Sequence, residues 1–230
     1  MAQENHTRSG SGFHIKDCAL ITRMAGISSV MNLRELHERL PNCPLESLYH
    51  HFCETQIRPS FDDPEFRNDF AFWASRHLGD RVLAERLGML NPYAFPNLPA
   101  LKERILEIVE VRISENPQQA WYPAKEEFRF MQAATVIFDT GQIFHTVAEL
   151  LDTIPRLSAS SVYYHFVEAR RRTADRQDDF SAWLKGLAEE TRELERAFAG
   201  IDFYFLSLRE LKRELVQICW DYNDAEEAST

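Results

Sequence analysis

The chain has 230 residues, of which 44% are hydrophobic and 27% are charged. This composition predicts packed cores rather than intrinsic disorder, and the length suits one large domain or two small ones. The formal net charge of −10 disfavours nucleic acid as a partner, because an acidic surface repels phosphate backbones. The basic run Arg170–Arg172 is flanked by Glu168 and Asp175, so we interpret it as a solvated helix face.

The beginning of the chain carries no signal for export. Residues 1–12 lack the apolar stretch of a signal peptide and are predicted to be disordered. Nowhere do eighteen apolar residues follow one another, as a membrane-spanning helix would require. The four cysteines form no CxxC pair and are predicted to be free, reduced thiols. Together these features predict a cytoplasmic protein.

An internal repeat begins at Phe13 and again at Phe128. The segment FHIKDCALITRMAG aligns with FRFMQAATVIFDTG, and three further blocks follow in the same order in both halves. Chance similarity between helical segments would not preserve the order of four blocks. The prolines and polar residues between the halves are typical of a domain boundary. We therefore predict a tandem duplication, with copy one at 13–113, a linker at 114–127, copy two at 128–222 and an acidic tail at 223–230.

Each copy opens with a segment that fits two kinds of structure. Phe13 and Ile15 alternate with polar residues, as Phe128 and Phe130 do, which predicts a short extended lead. The apolar run that follows is equally consistent with a helix, so both structures stay open.

Helices are predicted for the remainder of each copy. Capping side chains at helix starts accept hydrogen bonds from backbone N–H groups, and proline ends or opens a helix. The last helix of each copy is predicted at 98–112 and 208–221. The fold class is thus mainly α, as two four-helix units. The first three helices are predicted to begin after Asn32, Pro44 and Asn68 in copy one, and after Thr146, Ser158 and Asp178 in copy two.

Two short motifs recur in both copies. The first is Ser-hydrophobic-Tyr-(His/Tyr)-His-Phe, and the second is (Asn/Asp)-Asp-Phe-x-x-Trp. Their order, followed by an amphipathic helix, resembles a bacterial and archaeal domain-of-unknown-function family, numbered fifty-seven fifty-two. The resemblance covers nearly the whole chain and implies no activity. The matching residues are Ser47, Tyr49, His51, Phe52, Asn68, Asp69, Phe70 and Trp73, and Ser161, Tyr163, His165, Phe166, Asp178, Asp179, Phe180 and Trp183.

His51 and His165 are the first candidates for a ligand site, beside Tyr49 and Tyr163. Histidine can bind a metal, carry a proton or contact a ligand. The two histidines would meet if the copies pack about a twofold axis. The simpler interpretation is a partly buried histidine that donates to a backbone carbonyl and fixes the helix that carries it, because a buried polar group needs a partner. We prefer that interpretation.

Asp69 and Asp179 also recur, each directly after a capping residue. One hypothesis is an acidic site in which each aspartate pairs with the histidine of its own copy. The other is a carboxylate in the first turn, stabilised by the helix N-terminus. The second hypothesis requires no tertiary contact and is preferred.

No motif in the chain specifies a reaction. A P-loop, GxGxxG, HExxH, GxSxG, an EF-hand loop and the Glu-x-x-His pairs of di-iron bundles are all absent. The sequence therefore predicts neither a cofactor nor a metal, and it favours a protein without catalytic activity.

Two functions stay open. The favoured one is a non-catalytic protein-interaction or scaffold module, binding a protein partner or its own copies, because the halves share core residues but little reactive chemistry. Its interface candidates are loop aromatic residues, which are preferred interface anchors. The alternative is a small-ligand or metal-binding protein, or an enzyme, with a site between the copies. The interface candidates are Tyr93, Phe95, Phe203 and Tyr204, and the ligand candidates are Tyr49, His51, Tyr163, His165, Asp69 and Asp179.

Overall fold

The computed structural model describes residues 12–57, 65–173, 175–187 and 191–228. It divides into two compact units. The continuous unit is Leu20–Thr135, and the discontinuous unit combines Met1–Ala19 with Val136–Thr230. Of the start predicted to be disordered, residues 1–11 lie outside the described residues.

Two long strands form the sheet. Strand β1 is Phe13–Met24 and strand β2 is Met131–Phe144, and the two pair in one two-stranded sheet. The Ala25 N–H donates to the Phe130 carbonyl at 2.8 Å, and the Thr140 hydroxyl donates to the Ile15 carbonyl at 2.7 Å. Residue numbers rise along one strand as they fall along the other, so the strands are antiparallel.

The apolar run left open between helix and strand is therefore a strand. The expected short leads are 12 and 14 residues long. Residues 135–138 of β2 read Thr-Val-Ile-Phe, and β-branched and aromatic side chains favour a pleated strand over a helix.

Each strand is shared between the units. Residues 13–19 of β1 belong to the discontinuous unit and residues 20–24 to the continuous one. In β2, residues 131–135 belong to the continuous unit and residues 136–144 to the discontinuous one. Each unit therefore joins helices from one half of the sequence to the leading strand of the other half. The spatial units differ in this way from the segments that repeat in the sequence.

The helices of the continuous unit begin at side chains that cap them. The Asn32 side chain accepts the Glu35 N–H, and the Asn68 side chain accepts the Ala71 N–H, which confirms both caps. Asp80 caps a helix that the sequence analysis missed, by accepting the Leu83 N–H. The helices are α1 (Leu33–Arg39), α2 (Leu45–Cys53), α3 (Asp69–Arg76), α4 (Arg81–Gly88) and α5 (Leu98–Glu115).

The discontinuous unit has a corresponding series. Thr146, Ser158 and Asp178 all accept backbone N–H groups at helix starts, which confirms these three caps. A π-helical turn at Tyr163–Glu168 interrupts its second helix. The helices are α6 (Val147–Thr153), α7 (Ala159–Val162), α8 (Ala169–Arg172), α9 (Asp179–Lys185), α10 (Arg192–Ala199) and α11 (Leu208–Ala228).

The mainly helical class is confirmed, but two details of the prediction are wrong. Helices α4 and α10 are additional to the four expected per copy, and α4 buries Leu83 and Leu87 at helical spacing. Helix α11 runs on to Ala228, beyond the predicted helix end at residue 221. In the part of the chain that the structure describes, no helix is both long enough and apolar enough to cross a membrane.

The basic run is more than a solvated face. The guanidinium carbon of Arg170 lies 4.8 Å from the ring centre of Phe166 and 4.7 Å from that of Phe203. Arg172 donates to Glu168 at 2.5 Å and lies over the Tyr164 ring at 4.2 Å. These cation–π and charged contacts hold α8 against its own unit.

All four cysteines are buried thiols outside any disulfide. Burial raises the pKa of the Cys219 thiol to about 12. Burial also raises the pKa of the Cys43 thiol. A thiol with a raised pKa stays protonated and unreactive at neutral pH, so these side chains pack as small hydrophobes.

Asp178 is a fully buried carboxyl at the start of α9. Its side chain accepts the Ser181 N–H at 2.8 Å, and Asn68 does the same for Ala71 at the start of α3. Burial raises the pKa of Asp178, although the Ser181 N–H and the Arg170 charge oppose that shift. The ionised carboxylate is thus a cost to the fold that an asparagine would avoid.

We expect Asp178→Asn to keep the cap and remove that cost. A carboxyl whose pKa rises on folding stabilises the fold below its unfolded pKa of about 3.9, and loses this contribution as pH rises through the folded pKa. The melting temperature of the variant relative to the natural chain should therefore rise between about pH 4 and about pH 7. Thermal unfolding across that range measures it.

Asp178→Ala is the matched control. It loses the capping oxygen as well as the charge, and should be about 1 kcal/mol less stable than Asp178→Asn at every pH. If the Asp178→Asn variant becomes less stable relative to the natural chain as the pH rises, the ionised carboxylate stabilises the fold and the argument from burial is wrong.

Candidate functional site

His51 joins a helix to a strand in the continuous unit. It lies on α2, is 3% exposed, and its Nδ1 is 2.6 Å from Oδ2 of Asp69 at the start of α3. Its Nε2 accepts the main-chain N–H of Met131, the first residue of β2, at 2.9 Å. Both ring nitrogens are therefore used inside the unit.

His165 makes the same pair of bonds in the discontinuous unit. Its Nδ1 is 2.7 Å from Oδ2 of Asp179 on α9, and its Nε2 accepts the main-chain N–H of Lys16 on β1 at 2.8 Å. His165 is also 3% exposed. Two histidines that are far apart in the sequence thus accept hydrogen bonds from main-chain N–H groups of two different strands. The predicted bond to a backbone group is present, but its predicted direction, from histidine to a carbonyl, is wrong.

These bonds define the protonation state of each ring. A main-chain N–H can only donate, so Nε2 must carry a lone pair and no proton. The single proton of the neutral ring then lies on Nδ1 and is donated to the aspartate carboxylate. A doubly protonated ring would direct two N–H groups at one another and lose the strand contact.

An aromatic ring of the strand segment lies beside each histidine. The ring centre of Phe128 is 4.6 Å from that of Phe70, 4.8 Å from His51 and 5.7 Å from Trp73. The Trp73 indole also donates to the Glu126 carbonyl at 2.8 Å. Offset and edge-to-face ring pairs add stability beyond the burial of their area.

Phe13 occupies the same setting in the discontinuous unit. Its ring centre is 4.6 Å from Phe144, 4.9 Å from His165 and 5.3 Å from Phe180, with Trp183 at 6.2 Å. We call Phe144, His165, Phe180 and Trp183 the strand socket of this unit. The strand socket binds the Phe13 ring and, three residues later in β1, the main-chain N–H of Lys16.

Two buried glutamates complete the neighbourhood, and the sequence analysis missed both. Glu54 lies 2.6 Å from Nδ1 of His50, and Glu168 bonds Arg172, which also donates to Asp179 at 2.8 Å. Burial raises the pKa of Glu168, although Arg172 opposes the shift. A signal was present in the sequence, since a glutamate follows each shared histidine by three residues.

The units differ in the helix that carries the histidine. Helix α2 is regular, whereas His165 sits in the π-helical turn Tyr163–Glu168. Such turns occur mostly as single insertions in α-helices and often near functional residues. The buried side chains around His165 are therefore spaced differently around the helix axis from those of α2.

Both hypotheses for Asp69 and Asp179 describe what the structure shows. Each carboxylate lies in the first turn of its helix and also pairs with the histidine of the same unit. The preferred hypothesis, a carboxylate stabilised by the helix N-terminus, therefore describes only part of the role of each aspartate. Tyr49 and Tyr163, the other ligand candidates, are buried.

The pairs have the connectivity of an acid–base dyad but lack its reactive third group. In hydrolases of that type, Nε2 faces a hydroxyl or thiol that it deprotonates. Here a main-chain N–H takes that position and is no nucleophile. Among the described residues, no three His, Cys, Asp or Glu side chains come together as a metal site. The arrangement holds a strand, and that bond occupies Nε2 of each histidine.

The loop aromatics proposed as interface anchors lie mostly inside. Tyr93 and Phe95 are half-buried and pack against the core of the continuous unit. Phe203 and Tyr204 are buried, with Tyr204 only 1% exposed, so neither ring offers a surface to a partner. The reason is local, because Phe203 packs on Phe166 with ring centres 5.7 Å apart.

Fold and site together define a mainly helical protein whose two units each hold a strand through a histidine–aspartate pair. The chain belongs to a family of unknown function, DUF5752, whose model matches residues 10–220. Among solved structures it is similar to OrfY from Thermoproteus tenax, with 25% identity and a TM-score of 0.74 over 94% of this chain and 97% of that one. No curated protein matches the chain. The expected membership in a domain-of-unknown-function family is confirmed.

We expect His51→Ala and His165→Ala to loosen different strands. Each leaves a buried main-chain N–H without its acceptor, which costs about 1–3 kcal/mol. Hydrogen exchange of the Met131 amide should accelerate about tenfold or more in the first variant, and that of Lys16 in the second.

Each variant serves as the control for the other. Exchange at Lys16 should be unchanged by His51→Ala, and exchange at Met131 should be unchanged by His165→Ala. If both amides keep their natural exchange rates in both variants, the histidines do not hold the strands.

Proposed function

We propose that the chain is a non-catalytic protein-interaction module. Strand β2 carries the observation that supports this proposal: Ile137, Phe138 and Ile143 are 48%, 50% and 47% exposed. Successive side chains of a strand point to opposite faces of the sheet, so both faces are open at Ile137 and Phe138. We call these three residues the β2 patch.

The strand that carries the patch also has an open edge. The sheet has two strands, and no third strand pairs with it among the described residues. Exposed strand edges readily pair with an extended segment of another chain, and apolar side chains beside the edge give such pairing specificity. A protein partner or a second copy of the chain fits these features.

The chemistry of the histidine pairs supports the same proposal. Side chains that could react are bonded to one another and to main-chain groups inside each unit. The alternative, a small-ligand or metal site between the copies, requires Nε2 of His51 or His165 to turn to a ligand. That change would break the bond from Met131 or Lys16, which weighs against this alternative.

We also propose that the chain is a tandem duplication. The two units repeat the bonds of the histidine, the stacking on the strand phenylalanine and the capping of the aspartate-bearing helix. The aligned glycines Gly26 and Gly141 both have positive φ, at 82° and 70°. Independent origin would not place a left-handed glycine at the same position of two aligned segments. A duplicated module offers two related surfaces for bridging partners.

Exchanging the β2 patch for polar residues tests the interaction module. We expect Ile137→Ser/Phe138→Ser to weaken binding to a partner recovered with the tagged natural protein, or self-association measured by light scattering, by roughly tenfold or more. Truncating a central apolar contact typically costs more than about 1 kcal/mol. Cross-linking mass spectrometry would identify the contacting segment.

Met89→Ser is the matched control, because Met89 is 79% exposed and lies outside the strands. It should leave the association intact. If the doubly substituted patch binds every partner as the natural chain does, or if binding depends on His51 and His165 instead, the proposal is wrong.

A further inference from the structure

Strand β1 is held in place by side chains that are distant from it in the sequence. Lys16 is separated from its acceptor His165 by 149 positions in the sequence. Phe13, Ile15 and Cys18 are all buried, although they come from the opposite end of the chain to the helices that bury them. The socket therefore acts as a receptor for an extended segment.

Polar contacts place the strand along the socket as well. The Ser158 hydroxyl donates to Oδ2 of Asp17 at 2.8 Å, and the Cys18 thiol donates to the Ser160 carbonyl at 3.5 Å. On the other side, Thr140 bonds the Ile15 carbonyl. The leading strand thus meets a ring stack, an imidazole, a helix start and a neighbouring strand.

The continuous unit shows that such a receptor accepts a different sequence. There Phe128 takes the place of Phe13, and the Met131 N–H takes the place of the Lys16 N–H. Recognition requires an aromatic ring followed three residues later by a main-chain N–H. A main-chain group is present whatever the side chain, so the ring supplies most of the selectivity.

We propose that the strand socket of the discontinuous unit also accepts residues Phe13–Cys18 from a second copy of this chain, giving a strand-exchanged dimer. A second copy presents the identical segment and can reproduce each contact. Within one chain, the helices of each half of the sequence already bind the leading strand of the other half. A strand from a second copy would therefore use the same contacts, and no new interface is needed. Exchange of an identical element is a low-cost route to a dimer.

Covalent connection favours the closed monomer. A tethered segment competes at an effective concentration in the millimolar range, which exceeds ordinary protein concentrations. The second copy gains access when the resident strand is weakened. This prediction goes beyond the β2 patch, because the socket and not the open sheet edge makes the contact.

Two complementary full-length variants test the exchange. Phe13→Ala weakens the lead and leaves the socket intact, whereas His165→Ala leaves the lead intact and damages the socket. We expect each variant alone to be a monomer in native mass spectrometry. Mixed, they should give a one-to-one species at twice the chain mass of 26.8 kDa, in which the intact lead fills the intact socket.

The double variant Phe13→Ala/His165→Ala is the matched control. Mixed with Phe13→Ala it supplies no intact lead and should give no dimer. If Phe13→Ala loses its helical circular dichroism, Phe13→Leu replaces it in the same mixture. A mixture of folded variants that stays monomeric overturns the strand exchange, and it leaves the β2 patch proposal standing.

Discussion

The bond from a main-chain N–H to a histidine Nε2 is the contact on which each unit depends. It occurs once in each unit, from Met131 to His51 and from Lys16 to His165. The bond can form only if the histidine is neutral and its Nδ1 proton faces a carboxylate, which explains why an aspartate accompanies each histidine. Removing the aspartate would leave the ring free to choose its other tautomer. The strand, the histidine helix and the aspartate helix are thus linked by two consecutive hydrogen bonds.

The same constraint explains the order of aromatic residues around the pair. A neutral imidazole can stack beside phenylalanine without the desolvation cost of a charged ring. Phe128 and Phe13 each lie within about 5 Å of a histidine ring centre and of a phenylalanine on the aspartate helix. The hydrogen bonds orient the strand, and the rings of Phe13 and Phe128 are both buried. A site of this kind resembles a catalytic dyad in its first two groups only, because the third is a main-chain amide.

Family membership and fold agree with this description without adding an activity. The family is one of unknown function, and OrfY from Thermoproteus tenax shares the fold over 94% of this chain. The position of exposed apolar side chains is more informative for function. Ile137, Phe138 and Ile143 are exposed on β2, whereas Phe203 and Tyr204, two of the loop aromatics that pattern alone favoured, are buried. Burial cannot be deduced from residue type in a loop, since the neighbours that cover it are distant in sequence.

The sequence by itself determined the mainly helical class and the caps at Asn32, Asn68, Thr146, Ser158 and Asp178. These follow from local rules, because a capping side chain bonds an N–H two or three residues away. It also marked His51, His165, Asp69 and Asp179 through their repetition.

Only the tertiary structure decided what those four residues do. Their partners lie at separations of 18, 14, 80 and 149 positions. It also decided that the apolar run after Phe13 and Phe128 is strand, since an extended segment needs a paired neighbour that periodicity does not identify. Long-range packing also decides which leading strand packs against which helices. A repeat in the sequence defines the parts but cannot say whether each lead packs on its own helices or on those of the other half.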